Sequence, residues 1–467
     1  MSYQVPQCID KNKIFIVNRS EIDGRLDPKM ALYNKKVRHA LYPLVKLKNL
    51  LLEKPQYGAN EAGIIRETNI QPRYIRITDI DENGLISANE LGATVANAED
   101  KYILNEYDIL IARSGATVGK AYIHKELPYT CLYAGYLIRF IVNPHKIFPD
   151  YLFAYTQLNP YKEWVNAIQR PSAQPNINAE EYQSLEIPLP NLNKQREIVE
   201  YINEAYRKKQ IKDKEARQLL GSIDDYLLNE LGITIPKVKN DINNRIFIIN
   251  KKDLVGRYTP SIYKNAISLR SELYDNIQLT HVAYINPHTK FPQANSKEIQ
   301  ISFVPMESVN ETYAEIENYK NCTINDSKGF TRFQEGDLLW AKITPCMENG
   351  KSSIAKNLTN GYGCGSTEFH VIRPKNNNIM VEFIHSILHM KLVRETAKLY
   401  FGGSAGQQRV ASDFLEKMNV PFPPIDKQQE IVDCISNMRN KAKILRKQGK
   451  AILESAKQEV ERMIIGE

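Results

Sequence analysis

Two glycine-containing loops are the parts of this sequence whose residue types and spacing come nearest to a catalytic or cofactor site. One reads GATVGKA from Gly115, and the other reads MENGKSS and ends at Ser353. A phosphate-binding loop requires GxxxxGK followed by Ser or Thr, so that backbone amides surround a phosphate and the lysine reaches its outer oxygens. The first loop is one residue too short and continues with Ala121, and the second has Pro345 in place of the first glycine. We therefore expect two strand–turn–strand units with basic tips.

A second candidate for chemistry is the histidine pair His385 and His389, whose spacing would place two imidazoles on one face of a helix. The glutamate of a HExxH metal motif is replaced by Ser386, and the sequence offers no evident third ligand. Surface or core histidines are the simpler interpretation. Nucleophile elbows, dinucleotide fingerprints and paired-carboxylate motifs are also absent from the sequence. We expect no catalytic centre, no metal site and no cofactor in this chain.

Polar and basic loops at matched places in the two halves of the chain remain as candidate binding residues. Arg and Lys can pair with phosphates or guanine edges, and Asn or Gln can contact adenine through two hydrogen bonds. Any one of these side chains could equally be a solvated loop residue. The candidates for DNA contact are Arg113, Ser114, Thr117, Lys120, Arg170, Gln174 and Asn176 in the first half, and Lys342, Thr344, Asn349, Lys351, Gln407, Gln408 and Arg409 in the second.

These loops belong to an internal repeat. The stretch IPLPNLNKQREIVEYI from Ile187 corresponds to VPFPPIDKQQEIVDCI from Val420, with eight identities in sixteen positions. Upstream, NKIFIVNRSEIDGRLDP from Asn12 corresponds to NRIFIINKKDLVGRYTP from Asn244. The framing stretches are similar while the candidate loops differ in chemistry, as expected if two related domains recognise two different ligands.

Each repeat should begin with a mixed α/β domain. Short apolar runs bounded by Asp, Asn, Gly and Pro predict strands at Ile14–Val17, Ile109–Ala112, Leu137–Val142, Ile246–Ile249, Leu338–Ala341 and Phe369–Ile372. Helical patterning appears over Pro149–Val165 and Met380–Tyr400.

Each repeat should end in a long helix. Asn193 and Asp426 are the predicted N-caps, and from Lys194 to Leu231 a helix would extend roughly 55 Å at ~1.5 Å per residue. Apolar residues follow a heptad spacing on both helices. We predict that the helices pair antiparallel about a pseudo-twofold axis, the alternative being that each packs on its own domain. The predicted pairing residues are Ile198, Ile202, Leu219, Ile223, Ile431, Ile435, Leu445 and Ile452.

Composition narrows the class of protein. The chain has 467 residues, a net charge of +8 and 42% hydrophobic residues, which allows two to four domains and suits contact with a polyanion. Six scattered cysteines form neither a disulfide framework nor a zinc motif. The sequence contains no apolar run long enough for a signal peptide or a membrane span, so we expect a cytoplasmic protein.

Two domains, each followed by a proline-bounded segment and a long helix, resemble the specificity subunit of type I restriction–modification systems. The resemblance covers nearly the whole chain. It is carried by Pro188, Pro190, Gln195, Ile198 and Ile202 in the first copy and by Pro421, Pro423, Gln428, Ile431 and Ile435 in the second. In that family each domain is a target recognition domain, and the paired helices set the spacing and dock the methylation subunits.

The resemblance implies an α+β fold with two tandem target recognition domains separated by two long helices. We expect recognition domains over residues 1–190 and 235–423, and spacer helices over 191–234 and 424–467. The chain would bind double-stranded DNA at a bipartite target without catalysing a reaction. A coiled-coil scaffold that binds no nucleic acid and a self-contained nucleotide-using enzyme are the alternatives.

The implied partners are DNA adenine methyltransferase subunits and restriction or translocase subunits. S-adenosylmethionine, ATP and Mg would be bound by those partners and not by this chain. We expect the docking surface to lie on the free faces of the spacer helices, around Gln195, Glu197, Gln428 and Glu430.

Overall fold

The computed structural model describes residues 27–86, 91–97, 99–169, 175–235, 269–292, 299–403 and 407–466. The chain forms two units. Unit 1 comprises Met1–Ile211 and Gln448–Glu467, and unit 2 comprises Lys212–Lys447. Each unit therefore contains one segment from each of the two long helices described below.

Unit 1 contains short strands and helices that precede the first long helix. Its helices are α1 (Pro28–Val37), α2 (Pro149–Thr156), α3 (Asn159–Ile168), α4 (Ala179–Gln183) and the first part of α5 (Leu192–Gly221). Its strands are β1 (Leu44–Lys46), β2 (Gln56–Tyr57), β3 (Ile64–Ile65), β4 (Arg73–Ile75), β5 (Ala93–Thr94), β6 (Ile109–Ala112), β7 (Ala121–Ile123), β8 (Cys131–Tyr133), β9 (Leu137–Phe140) and β10 (Glu186–Pro188).

The described strands of unit 1 form three sheets. An antiparallel sheet has the strand order β2-β9-β6-β7, and a mixed sheet has the order β3-β5-β4-β8 with β4 and β8 parallel. The third is the antiparallel pair of β1 and β10, which joins residues 44–46 to residues 186–188, just before α5. Strand β6 is fully buried because all four of its residues are apolar, as is typical of a central strand.

Unit 2 contains a longer series of short strands and helices between its two long-helix segments. Its helices are the end of α5, α6 (Ile223–Glu230), α7 (Leu279–Val282), α8 (Val381–His389), α9 (Lys391–Lys398), α10 (Ser412–Lys417) and the first part of α11 (Ile425–Ile465). Its strands are β11 (Asn276–Gln278), β12 (Ala283–Ile285), β13 (Gln300–Val304), β14 (Val309–Asn310), β15 (Glu315–Ile316), β16 (Lys320–Thr323), β17 (Thr331–Gln334), β18 (Leu338–Ala341), β19 (Ser352–Ile354), β20 (Tyr362–Gly365), β21 (Phe369–Pro374), β22 (Phe401–Gly402), β23 (Arg409–Val410) and β24 (Asn419–Pro421).

The antiparallel sheets of the two units have the same strand order, whereas the mixed sheets differ in their fourth strand, since β3 pairs with β5 in unit 1 and β17 pairs with β20 in unit 2. The antiparallel sheet of unit 2 has the order β12-β21-β18-β19, and its mixed sheet has the order β16-β13-β20-β17 with β13 and β20 parallel. Strands β11 and β24 form the closing antiparallel pair. The two small hairpins β14–β15 and β22–β23 complete the strands that are described in this unit.

The strand predictions that fall on described residues are confirmed at Ile109–Ala112 and Leu338–Ala341, and Phe369–Ile372 lies within β21. The strand predicted at Leu137–Val142 is β9, which ends earlier, at Phe140. The predicted strands at 14–17 and 246–249 lie outside the described residues. Each predicted helical stretch is interrupted once, between α2 and α3 and between α8 and α9. In unit 1 the new helix starts at Asn159 with Pro160 in its first turn, a position where proline is tolerated because that N–H needs no helical partner.

Both repeats have the dipeptide Lys-Gln at the start of the long helix, here called the KQ motif, and its glutamine, Gln195 or Gln428, attaches each long helix to its own unit. Gln195 Oε1 accepts a hydrogen bond from Phe148 N at 2.9 Å, and its Nε2 donates to Pro190 O at 2.9 Å and Lys146 O at 3.2 Å. Both Gln195 and Gln428 are 0% exposed. Our expectation that these two glutamines lie on a free docking face is therefore wrong, because their amides satisfy buried backbone groups.

Gln428 makes the matching set of bonds in unit 2. Its Oε1 accepts from Met380 N at 2.9 Å, and its Nε2 donates to Pro423 O at 2.9 Å and Asn378 O at 3.0 Å. The neighbouring helix starts differ from the predicted caps. Asn191, and not Asn193, caps α5 through Lys194 N, and α11 already begins at Ile425, so that Asp426 lies in its first turn.

In unit 1 the start of α5 packs beside the end of α11. Ile198 and Ile202 share one buried apolar cluster with residues of α11, namely Leu453, Ala456, Val460 and Ile464. Ile452, which we predicted as a pairing residue, is only partly buried beside this cluster. The buried residues of α11 continue from Leu445 to Gly449 and then to Leu453, each four residues further on, so that Leu453 takes the buried place predicted for Ile452. Two consecutive steps of four arise because an α-helix drifts from a strict heptad repeat.

In unit 2 the end of α5 and helix α6 pack beside the start of α11. Ala216 shares a cluster with Ala442 and Leu445, and Leu219 is partly buried against it. Further along, Ile223 and Leu227 share the main core with Ile431 and Ile435. An ion pair of 2.6 Å joins Lys427 Nζ to Glu230 Oε2. Among the described residues, no helix is both long and apolar enough to cross a membrane.

Candidate nucleic-acid interface

In unit 1 the two predicted loops meet at the end of strand β6. Gly115 N donates to Pro175 O at 3.0 Å, and Ile177 N donates to Arg113 O at 2.8 Å. Ser114 and Asn176 face each other as an isolated antiparallel bridge. The tertiary structure thus joins two candidate loops that lie about 60 residues apart in the sequence. Arg170 and Gln174 lie outside the described residues.

In unit 2 the matched loops meet in the same way at the end of strand β18. Thr344 N donates to Gln408 O at 3.0 Å, and Val410 N donates to Lys342 O at 2.9 Å. Ile343 and Arg409 form the corresponding isolated bridge. The same backbone arrangement therefore presents both pairs of loops.

The side chains that this arrangement presents in unit 1 combine a cation with aromatic rings. The guanidinium carbon of Arg113 lies 4.9 Å from the centre of the Tyr57 ring, a distance typical of cation–π contact. Tyr57 and Tyr136 are each 38% exposed, and Arg113 N donates to Tyr136 O at 2.9 Å. We did not single out these tyrosines in the sequence, because nothing in their local pattern separates them from the other tyrosines.

In unit 2 the corresponding surface contains a carboxylate. Glu368 accepts two hydrogen bonds from Arg409, from Nε at 2.9 Å and from Nη2 at 2.8 Å. Arg409 lowers the pKa of Glu368, so that the pair stays ionised at neutral pH. Lys342 lies beside this pair, and its backbone N donates to Glu368 O at 2.9 Å. Arg409 therefore has its charge matched by Glu368, whereas Arg113 forms no ion pair with any acid among the described residues.

A cleft of about 420 Å³ adjoins this surface in unit 2. Besides Lys342, it is lined by His288, Arg332 and the half-exposed ring of Phe330. Arg332 lies over Phe291 at 4.9 Å from its ring centre. None of these residues was singled out in the sequence, since they come from a strand and a turn that only the fold brings next to Lys342.

The two lysines of the glycine loops have a structural role. Lys120 Nζ donates to Ile80 O and lies 3.5 Å from Ile77 O, and Lys351 Nζ donates to Val309 O at 2.9 Å and Met306 O at 3.2 Å. The loops do connect strand pairs, β6 to β7 and β18 to β19, as we predicted. Their lysines, however, hold a neighbouring 3₁₀ turn, because backbone carbonyls there need donors.

Replacing Lys351 by methionine should lower the free energy of unfolding by about 1–3 kcal/mol, because two carbonyl acceptors lose a charged donor. DNA affinity should change little. Urea unfolding and a DNA titration of the same variant measure both quantities. Lys356→Met is the control, because its side chain is 55% exposed. A large loss of DNA affinity with unchanged stability would show that Lys351 contacts DNA.

The remaining candidates differ in exposure. Thr117, Asn176, Asn349 and Gln407 are exposed, whereas Gln408 is partly buried. Thr344 Oγ1 donates to Glu348 within its own turn. Exposed polar side chains beside Arg113 and Lys342 are free to contact a ligand, and this remains a prediction for each of them.

The histidine pair lies on helix α8 of unit 2, with His385 in the core and His389 partly buried. His385 is 3% exposed and its Nε2 lies 3.0 Å from Ser352 Oγ, while His389 Nε2 lies 3.1 Å from Glu311 O. Burial lowers the pKa of His389 to about 3, which keeps its ring neutral. Within the described part of the chain, no cluster of three or more His, Cys, Asp or Glu side chains could hold a metal.

Comparison with known proteins places these observations in a family. The family model described as "Type I restriction modification DNA specificity domain" matches residues 64–220 and 272–454. The specificity subunits of the type I restriction enzymes EcoEI and EcoAI of Escherichia coli are both 34% identical to this chain, over 198 and 191 residues. These matches cover 41% and 40% of this chain and 32% and 31% of the relatives. The matched chain thus spans about a third of the length of these relatives.

Two further comparisons extend over most of the chain. The putative type I restriction enzyme MjaX specificity subunit of Methanocaldococcus jannaschii is 23% identical over 382 residues, which is 78% of this chain and 79% of that protein. A solved structure described as "Structural basis underlying complex assembly and conformational transition of the type I R-M system" contains a chain that is 14% identical. It covers 90% of this chain and 95% of its own length with a TM-score of 0.50, and is similar in fold.

Proposed function

This chain belongs to the type I restriction modification DNA specificity family, and on that premise we propose that it is the non-catalytic DNA-recognition subunit of a type I restriction–modification complex. Each recognition domain would read one half of a bipartite target. The observation that carries the proposal is the meeting of two sequence-distant polar loops at matched positions, at the ends of β6 and β18. The proposed recognition domains are residues 1–190 and 235–423, and the proposed spacer helices are residues 191–234 and 424–467.

The chemistry of the two surfaces supports two different half-sites. Arg113, stacked on Tyr57, has a guanidinium suited to the two acceptors on a guanine edge. In the other domain the Arg409–Glu368 pair carries an acceptor that suits the amino group of cytosine, with Lys342 beside it. Surfaces that differ in this way select different bases although their backbones are alike.

We further propose that α5 with α6 and α11 form an antiparallel coiled coil related by a pseudo-twofold axis. Within unit 2, rising residue numbers on one helix accompany falling numbers on the other, since Ala216 clusters with Leu445 and Leu227 with Ile431. The cluster of Ile198 with Ile464 in unit 1 agrees with the same direction. Such a helix pair would act as a ruler that sets the gap between the half-sites.

Methylation and cleavage would be carried out by partners in the cytoplasm. We propose DNA adenine methyltransferase subunits that use S-adenosylmethionine, and restriction or translocase subunits that use ATP and Mg. A methyltransferase must extrude an adenine from the duplex to reach its N6 atom. The exposed side chains of Glu197 and Glu430, on the free faces of the two helices, are the proposed docking region.

The proposal is tested by mapping DNA methylation in a methylation-deficient host. The host carries either the cognate methyltransferase gene alone or that gene together with this chain. A split motif that appears only with this chain supports the proposal and reads out both half-sites and their gap. If both proteins are soluble and associated and no new motif appears, the DNA-recognition role is wrong. That outcome would favour a coiled-coil scaffold that binds no nucleic acid.

The ruler predicts a specific change when both helices are shortened together. Deleting the opposed heptads Arg207–Asp213 and Lys447–Leu453 removes seven residues from each helix, about 10 Å, which corresponds to about 3 base pairs. Whole heptads keep the apolar stripes in register. We expect the methylation motif to keep both half-sequences and to change only the gap.

The control for this prediction is the matching duplication of the same two heptads, which should widen the gap by a similar amount. A gap that stays constant in both variants would show that the helices do not set the spacing.

A further inference from the structure

Unit 2 contains a cavity of about 410 Å³ between the β14–β15 hairpin, helix α8 and helix α11. None of its lining residues belongs to the candidate loops that meet at the end of β18. Among its lining side chains are His385 and Glu382 from α8 and Arg439, Asn440 and Lys443 from α11. All of these residues belong to unit 2. The cavity is therefore formed by one unit alone and needs neither DNA nor a partner.

Arg439 is the unusual residue of this cavity. Its Nη2 atom is buried and has no hydrogen-bond partner among the described residues. Burial lowers the pKa of Arg439 to about 10, and the charge of Asp224 offsets that effect only in part. A buried guanidinium without a hydrogen-bonded anion is costly, since the lost hydration is not replaced. Arg439 thus lines the cavity and also has a buried donor atom that lacks an acceptor.

The acidic side chains at the cavity are already engaged. Glu382 accepts from Lys356 Nζ at 2.7 Å, and Glu315 accepts from Lys443 Nζ. His385 and His389 are held neutral by burial and by the nearby charge of Arg439. Of the positively charged side chains that line the cavity, Lys356 and Lys443 are therefore paired with an acid, and Arg439 has no acid of the lining at contact distance.

The internal repeat shows that packing does not require this arginine. Tyr206 occupies the position in the first copy that corresponds to Arg439, 233 residues later, and Phe153 occupies the position that corresponds to His385. Phe153 and Tyr206 both pack in the apolar core of unit 1. The same backbone arrangement is thus filled with aromatic side chains in one unit and with cationic and polar side chains in the other.

We propose that this cavity binds a small oxyanion of the phosphate class, with Arg439 as its principal ligand. Ser436 and Asn440, one turn or less from Arg439 on α11, supply neutral donors, and Ser353 also lines the cavity from β19. A guanidinium pairs with two phosphate oxygens at once, and this geometry favours phosphate over a halide ion. The volume accommodates inorganic phosphate or the phosphate group of a small phosphomonoester.

The test uses the full-length chain, prepared in phosphate-free buffer, and titration calorimetry with inorganic phosphate at constant ionic strength. We expect saturable binding at one site. Arg439→Gln should weaken that binding by about tenfold to a hundredfold, the expected loss for a charged hydrogen-bonding partner. Lys441→Gln is the matched control, because it removes the same charge from an exposed position of the same helix, and it should bind like the unaltered chain.

A second variant guards against misfolding. Arg439→Tyr introduces the residue that the first copy has at this position, and it should fold normally, as judged from the fluorescence of buried Trp340, and should not bind phosphate. Ribose 5-phosphate as a second probe separates a phosphomonoester, if it binds more tightly, from free phosphate, if it does not. Weak and unsaturable binding by all variants, or saturable binding that survives in Arg439→Gln, overturns the proposal.

Discussion

Replacing Gln428 by leucine should lower the free energy of unfolding of unit 2 by about 3–5 kcal/mol. The substitution leaves three backbone groups without a partner, Met380 N–H and the carbonyls of Asn378 and Pro423, which Gln428 binds at 2.9, 3.0 and 2.9 Å. Each buried polar group left unsatisfied costs about 1–3 kcal/mol. Leucine has nearly the same volume, so the loss measures the hydrogen bonds rather than a cavity.

The two tryptophans of the chain allow this effect to be assigned to one unit. Trp164 is buried in unit 1 and Trp340 in unit 2. In a Trp164→Phe background, urea unfolding followed by the fluorescence of Trp340 reports on unit 2, and Gln195→Leu in a Trp340→Phe background tests the matching lock in unit 1. Each variant is compared with its own tryptophan background, because the two units need not unfold in a single step.

The control for Gln428 is its neighbour Gln429. Gln429 is exposed and its side chain donates only to Asp433 Oδ1, at 2.8 Å on the same helix. Gln429→Leu should therefore change the unfolding free energy by less than about 0.5 kcal/mol. Equal effects of the two substitutions would mean that the buried amide of Gln428 does not hold the helix to the unit.

Replacing Arg113 by leucine should weaken binding of the cognate DNA by about tenfold to a hundredfold, because a two-bond contact to guanine contributes about 1–3 kcal/mol to discrimination. The loss should be confined to the half-site read by the first domain. Lys342→Leu should produce the corresponding loss at the second half-site. Binding of DNA duplexes in which one half-site at a time is scrambled, with the full-length chain, measures both effects.

Charge and base recognition are separated by a conservative substitution. Arg113→Lys keeps the positive charge but loses the paired donors of the guanidinium. It should relax the sequence preference at the first half-site and leave the salt dependence of binding unchanged, whereas a phosphate contact would behave in the opposite way. Lys101→Ala, at a side chain that is 54% exposed and paired with Glu99, controls for loss of net charge. If Arg113→Leu weakens both half-sites equally, Arg113 does not read bases.

The structure also changes the interpretation of the repeated KQ motif. The matched glutamines hold the helix start, the proline segment and the entry to α2 or α8 together in each unit. A partner could still bind the exposed faces that carry Glu197 and Glu430. The glutamines themselves are occupied within the chain, so their repetition reflects the need to attach two long helices to two units in the same way.

The local sequence pattern was sufficient to predict several features of this protein. The repeat, the strands at Ile109–Ala112 and Leu338–Ala341, and the two long helices were predicted because apolar spacing and repeated stretches are properties of the chain alone. The family could be identified from the same stretches. The boundaries were less accurate, since Asn191 rather than Asn193 caps α5, a choice between two asparagines that depends on the preceding turn.

Other features were decided by tertiary structure. Lys120 and Lys351 looked like basic loop tips, and the fold uses them to bind carbonyls contributed by residues that lie 40 or more positions earlier in the sequence. Tyr57 comes next to Arg113 only because β2 joins the sheet of β6 through β9. Contacts of this kind depend on which strands become neighbours, and a sequence pattern records the face of a strand but not its neighbour. The sequence by itself therefore determined the elements and the family, and only the fold decided which side chains meet.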